Sequence, residues 1–266
     1  MGKCPFLRTG TLYGSFQINE DYLNPAIMNK PGCISPDNPG ISFVRRHPYE
    51  LKTTFGVETD KCYSGRSSSC HYNFDQNNRE KYGPNAPRYF EKIWVSPSIV
   101  SNALIGSSLV ISGRVIEKNW PPEDTKQVIP LLELKKIKYS IKRWRESVDW
   151  DNTGAHELLL SAIDKKGLYD GCNDEIEVRK RFNNLDFIFK QVKKEHRLRS
   201  SQELYLGAFR EEWGILVHLG PDKELYIGGG GVHRFAIAYV LGLPIIPSKI
   251  GYVHKNALPY LDQLRY

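Results

Sequence analysis

The chain has 266 residues, 40% of them hydrophobic and 25% charged, which suits a globular protein with a sizeable core in one large or two small domains. No apolar run approaches the ~18 residues that cross a bilayer, and Met1-Gly2-Lys3-Cys4-Pro5 lacks the hydrophobic stretch of a secretory signal, so a cytoplasmic protein with no membrane role is expected. The formal charge of +7 favours polyanions, whether nucleic acid, nucleotide or acidic glycan, without choosing among them.

Residues 1–88 are rich in Gly, Pro, Asn, Ser and Tyr, with turn clusters such as Lys30-Pro31-Gly32 and Pro36-Asp37-Asn38-Pro39-Gly40 and no sustained helical period. A loop-rich extension is expected there, packed on the body of the protein through aromatics such as Phe16, Phe43, Phe55 and Phe74. The five cysteines, Cys4, Cys33, Cys62, Cys70 and Cys172, form an odd set without a CxxC pair, so reduced thiols are expected. The alternative is a zinc site drawing on Cys62, Cys70 and His71 with Cys4 or Cys33, although that spacing fits no standard knuckle.

Regular elements begin at about residue 89. Lys92-Ile93-Trp94-Val95 reads as a strand stopped by Ser96-Pro97, and Leu109-Val110-Ile111 through Val115-Ile116 as another. The basic run from Lys135 to Arg145 interleaves cations with apolar residues at near-helical spacing, which fits an amphipathic surface helix or a nucleic-acid patch. Two helices follow, one from about Ala155 to Lys166 with Thr153 as cap and Gly167 at its end, the other from Asp174 to about His196. Residues 213–219 and 224–227 read as a hairpin, 232–241 as a helix and 245–250 as a strand. The pattern is a mixed α/β (α+β) layout, with an extension over 1–88 and a domain over 89–266.

Four consecutive glycines, Gly228 to Gly231, join a strand to that helix, a costly run that suits positive φ or close approach of another group. The free N–H groups and positive end of the helix point back into the turn, a setting for an anion. His233 and Arg234 in the first helical turn oppose the helix dipole unless a negative group such as phosphate compensates. Arg234 would then grip two oxygens with its planar fork and His233 donate one hydrogen bond. By spacing alone a flexible hairpin exit with solvated side chains explains the run equally well, since neither G-x-G-x-x-G nor a P-loop is present.

The segment from Leu225 through Gly228-Gly229-Gly230-Gly231-Val232-His233-Arg234-Phe235-Ala236, continuing to Leu241-Gly242-Leu243-Pro244-Ile245-Ile246-Pro247, resembles the D-G-x-H-R-x-x-A…L-G…I-P signature of ParB-like domains and the G-G-C-H-R turn of sulfiredoxin. Tyr169-Asp170-Gly171-Cys172 and Trp150-Asp151-Asn152-Thr153 are similar to segments of ParB-like proteins with a longer N-terminal part. The resemblance implies a ParB/sulfiredoxin-like mixed sheet with flanking helices and a turn that holds nucleotide phosphates on Gly229, Gly230, Gly231, Val232, His233 and Arg234. Val232 stands where sulfiredoxin has its catalytic cysteine, which excludes that thiol chemistry, and Gly230 stands where many ParB-like domains have Asp. No ParB-type helix-turn-helix follows the last strand, so sequence-specific DNA partitioning is not expected.

The function that follows from the resemblance is a kinase-like phosphotransferase that uses ATP or another nucleotide with Mg²⁺ and acts on a hydroxyl-bearing metabolite or sugar. His233 and Arg234 would stabilise the transferred phosphoryl group, and Asp151 or Glu117 would orient the acceptor hydroxyl. The alternatives are a nucleotide-gated DNA-binding or nuclease-type ParB-like protein, with residues 135–145 as backbone contact, and a non-enzymatic scaffold.

Overall fold

A computed structural model describes residues 68–106, 112–123, 125, 127–205 and 208–265. The expectations for Cys4, Cys33, Cys62 and residues 109–111 lie outside them. Among the described residues seven strands form one mixed sheet: β1 (Lys92–Val95), β2 (Asn102–Ile105), β3 (Val115–Ile116), β4 (Gln127–Pro130), β5 (Ile215–Leu219), β6 (Leu225–Ile227) and β7 (Ile246–His254). Their order is β1-β7-β5-β6-β2-β4, with β3 beside the far end of β7. β7 runs parallel to β5, and β5 antiparallel to β6 in the expected hairpin. β7 is buried at every position except Lys249, as a central strand with both faces covered should be.

The helices are α1 (Ser68–Tyr82), α2 (Lys135–Trp144), α3 (Ala155–Lys166), α4 (Glu175–Glu195), α5 (Ser201–Leu204), α6 (Val232–Leu241) and α7 (Leu258–Leu264). α6 buries Val232, His233, Phe235, Ala236, Ile237 and Ala238 and packs on β5, α2 and α4. A helix apolar almost all round has no solvent face to offer, so it becomes the centre of the molecule. Ile93, Val95, Ile215, Val217, Ile227, Ile246 and Ile250 close the core against it. A second cluster, Tyr139, Trp150, Leu159, Val178 and Phe182, joins α2, α3 and α4. Asp174 caps α4 as expected, its carboxylate accepting the Glu177 amide at 2.8 Å. Gly154, with positive φ, takes the cap position of α3, although the Thr153 hydroxyl still accepts the Ala155 amide at 3.2 Å.

Helix α1 lies within the segment 1–88 expected to be loop-rich, where no sustained helical period was read. Its sequence has no apolar stripe, and tertiary contacts hold it instead. The Asn78 amide donates to the carbonyls of Pro87 and Gly113 at 2.7 and 2.9 Å, Asp75 pairs with Arg210 at 2.6 Å, and Phe74 meets Tyr89 edge to face.

Between β5 and β7 the pairing slips by one residue, from Val217↔Ile250 to Leu219↔Val253. The slip is a bulge that turns both Ile250 and Val253 toward the main core. His218 lies opposite it, and its Nδ1 accepts the Tyr252 amide at 3.0 Å, satisfying a group the ladder leaves over. The ring needs two glycines beside it. A Cβ on Gly251 would stand 2.4 Å from Nδ1, and one on Gly228 2.6 Å from Nε2. Gly228 therefore serves packing; it is not an open part of the glycine turn.

Candidate functional site

The turn after β6 follows β5 before it enters α6. Gly228 donates its amide to Leu216 O at 2.8 Å, and Leu216 donates to Gly230 O at 3.0 Å. Gly231 then caps α6 with φ +74°, its Cα so close to β5 that a Cβ would stand 2.8 Å from Ile215 Cα. Both constraints require glycine. Gly229 is exposed and a Cβ there would meet nothing within 4 Å. Among the described residues no acceptor takes the amides of Gly229, Gly230 or Gly231. The turn thus presents a row of open N–H groups at the positive end of a buried helix.

The two side chains expected to grip phosphate are directed inward. His233 is 6% exposed, its Nε2 paired with the Tyr139 hydroxyl at 2.5 Å and its Nδ1 3.4 Å from Arg181 Nη2. Burial, reinforced by the charges of Lys136 and Arg181, holds its pKa well below the usual histidine value. It is a neutral core histidine, which corrects its expected role as a direct phosphate ligand. Arg234 is partly buried and donates through Nη2 to Trp213 O, so its fork is not wholly available to a ligand. Lys249 lies in the same neighbourhood, donating to Glu212 O at 2.9 Å, with its pKa lowered to about 8 by burial and by the charge of Arg234.

Two other cations stand at the first turn of α6. Lys136 of α2 pairs with Asp170, and Arg181 of α4 lies 3.6 Å from the same carboxylate. Burial raises the Asp170 carboxyl, but Lys136 and Arg181 outweigh it and hold the group below its ordinary value. One carboxylate against two cations leaves a positive charge uncompensated within this trio. Arg181 Nε, moreover, is buried without a hydrogen-bond partner. Sequence reasoning missed Lys136, Arg181 and Tyr139 as site residues. The available signals were the basic run from Lys135 to Arg145, read as a surface helix or nucleic-acid patch, and Tyr169-Asp170-Gly171-Cys172, singled out as a motif but given no role.

Neither expected carboxylate joins the turn. Glu117 follows β3 at the far end of β7, bound to Lys81 and the Tyr82 hydroxyl, each at 2.7 Å. Ser248 pairs with Ile215 beside the turn and His254 with Ile116 beside Glu117, six residues or roughly 20 Å along the strand. His254 is also at that end, its Nε2 3.0 Å from Lys118 O. Asp151 lies on the 3₁₀ turn Trp150–Asn152, bonded to His156 Nδ1 at 2.6 Å and Arg179 Nη1 at 3.2 Å. The path from it to His233 passes through the rings of Trp150 and Tyr139.

Comparison with protein-family models, curated proteins and solved structures gives no significant match. The ParB-like resemblance therefore rests on the residues of the turn and the elements beside it. No helix among the described residues is long and apolar enough to cross a membrane.

Proposed function

We propose that this chain binds the phosphates of a nucleotide on the amides of Gly229, Gly230, Gly231 and Val232, and transfers the terminal phosphoryl group to a hydroxyl of a small metabolite or sugar. The observation that carries it is the row of unclaimed amides at the start of α6. A phosphate satisfies such donors through charge-assisted hydrogen bonds. Lys136 and Arg181 supply the charge expected of His233, while Arg234 and Lys249 lie together at the carbonyls of Trp213 and Glu212.

Phosphoryl transfer through a loose transition state needs mostly position and positive charge. The acceptor oxygen bonds to the γ-phosphorus, the bond to the bridging oxygen breaks, nucleoside diphosphate leaves and the hydroxyl proton passes to a carboxylate or water. Asp170, beside the two cations at the first turn of α6, takes the place of Asp151 and Glu117 as the candidate carboxylate. Lys136 and Arg181 both stand at Asp170 Oδ2, and both oxygens of Glu211 accept from Ser201. No step is routed through a protein-held metal.

ATP with Mg²⁺ is expected to raise the melting temperature by about 5 °C at roughly 100-fold its Kd. Gly229→Asp places a negative charge in open space within the turn and is expected to abolish that rise with the fold intact. An undiminished rise in Gly229→Asp rules out the cradle. Consumption of ATP only in the presence of a hydroxyl acceptor separates transfer from simple binding.

Nucleotide-gated contact with nucleic acid is favoured by one observation. The run at 135–145 folds as the amphipathic helix α2, with Ile137 and Tyr139 buried and Lys135, Lys138, Lys142 and Arg145 exposed along one side. Binding of that kind would weaken steeply with salt.

A further inference from the structure

Strands β1 and β7 set two lysines side by side. Lys92 pairs with Lys249 in the antiparallel register, which puts their Cβ atoms about 5 Å apart on one face of the sheet. Their neighbours Ile93 and Ile250 point into the main core, so the lysines occupy the opposite face. Arg234 comes up to Lys249 from the first turn of α6. The two donate to the carbonyls of adjacent residues, Trp213 and Glu212, and the charge of Arg234 adds to burial in holding the Lys249 pKa at about 8. Like charges directly opposite across a sheet are unfavourable.

Among the described residues none of the three cations forms an ion pair. Lys92 lies over the Trp94 ring at 5.3 Å and Lys249 over the Phe90 ring at 5.0 Å. The carboxylates that feel these charges are Glu211 and Glu212. Glu211 is 1% exposed and both its oxygens accept from Ser201, so it is turned away from the cluster. Lys92, Arg234 and Lys249 are each partly exposed. Leu216 pairs with Lys249 on its other side, and a Cβ on Gly230 would stand 3.4 Å from Leu216 Cβ. The lysine pair thus begins about one strand spacing, roughly 5 Å, beyond the glycine turn.

Three donors converge from β1, β7 and α6. A carboxylate offers two oxygens in one plane, whereas a phosphate monoester offers three arranged tetrahedrally, enough for the guanidinium fork and both ammonium groups. An anion here would also favour the charged form of Lys249, which burial and Arg234 oppose.

We propose that Lys92, Lys249 and Arg234 form a second anion subsite, beside the glycine turn and separate from it, that takes the phosphate group of a phosphorylated small molecule. The subsite does not depend on phosphoryl transfer at the turn.

The test follows the Lys249 Cε–H signals of the whole chain labelled with ¹³C-lysine, assigned through Lys249→Arg. Inorganic phosphate, D-glucose 6-phosphate, AMP, acetate and D-glucose are added in separate titrations. Phosphate and at least one of the two esters are expected to move the signals saturably, with a Kd on the order of 1 mM or below. The tighter ester names the carrier of the phosphate. Acetate and glucose at the same concentrations are expected to leave the signals in place. The movement is expected to persist in Gly229→Asp, which closes the turn to anions, and to need about tenfold more ligand in Lys92→Gln. The proposal is overturned if no phosphate compound moves the Lys249 signals, or if acetate moves them as far. Loss of the movement in Gly229→Asp overturns it too, as does unchanged binding in a folded Lys92→Gln protein.

Discussion

Replacing Gly251 by alanine is expected to destabilise the protein by about 3 kcal/mol or more, at the upper end of what overpacking costs. The new Cβ would lie 2.4 Å from His218 Nδ1, and that ring cannot withdraw, because its Nδ1 is the acceptor for the Tyr252 amide within the bulge. Gly228→Ala meets the same ring from the Nε2 side and the Leu216 side chain as well, and should behave alike. Gly229→Ala, with nothing within 4 Å of its Cβ, is expected to change stability by no more than about 0.5 kcal/mol. Chemical denaturation of the three variants checks the contrast. His218→Ala should recover part of the Gly251→Ala loss, since it removes the atom the methyl strikes.

Acid is expected to unfold the protein early, and His218 is one reason. Burial lowers its pKa in the folded state to about 3, against 6.5 for a free histidine. Above 6.5 the ring is neutral in both states and contributes no pH dependence. Below 6.5 the unfolded chain takes up the proton and the folded one does not, so stability falls as pH drops from 6.5 toward 3. At about pH 5 the loss from this one group is about 2 kcal/mol. His233, also buried and pushed well below the usual value, adds a loss of the same sign. Melting temperatures between about pH 7 and pH 5 measure the slope. His218→Asn, which keeps an acceptor for the Tyr252 amide but has no proton to gain, is expected to flatten it.

The half of the fold nearest the glycine run was legible because each element there carries its own punctuation. The hairpin turns at Gly220-Pro221, α6 is framed by Gly231 and Gly242, and its apolar content leaves little choice but burial. Beyond it, β1 and β3 were also read as strands, whereas β2 and β4 were not. β2 and β4 are four residues each with no clear alternation, and β2 gains its place through a parallel pairing with β6, more than 120 residues away in sequence. α1 shows no amphipathic period because it is fixed by single polar contacts such as those of Asn78.

The same limit governs the candidate site. The turn could be found from four glycines before a helix, but the directions of His233 and Arg234 could not. Successive residues on a helix point about 100° apart, and whether either turns inward depends on the elements packed on α6, such as α2 and α4, which meet it only in three dimensions. The cations that replace them come from α2 and α4, with Asp170 on a third segment. No linear spacing connects Lys136, Asp170 and Arg181. Gly228 belonged to the run by sequence, yet its neighbour His218 gives it a packing role.

The backbone amides of the turn can be watched directly in a ¹H–¹⁵N NMR titration with inorganic pyrophosphate and then with ATP. The expected result is a saturable downfield movement of the Gly229, Gly230, Gly231 and Val232 amides, along with the Arg181 Nε–H. Nucleotide that binds while those five signals stay in place, or that does not bind at all, would contradict the anion cradle.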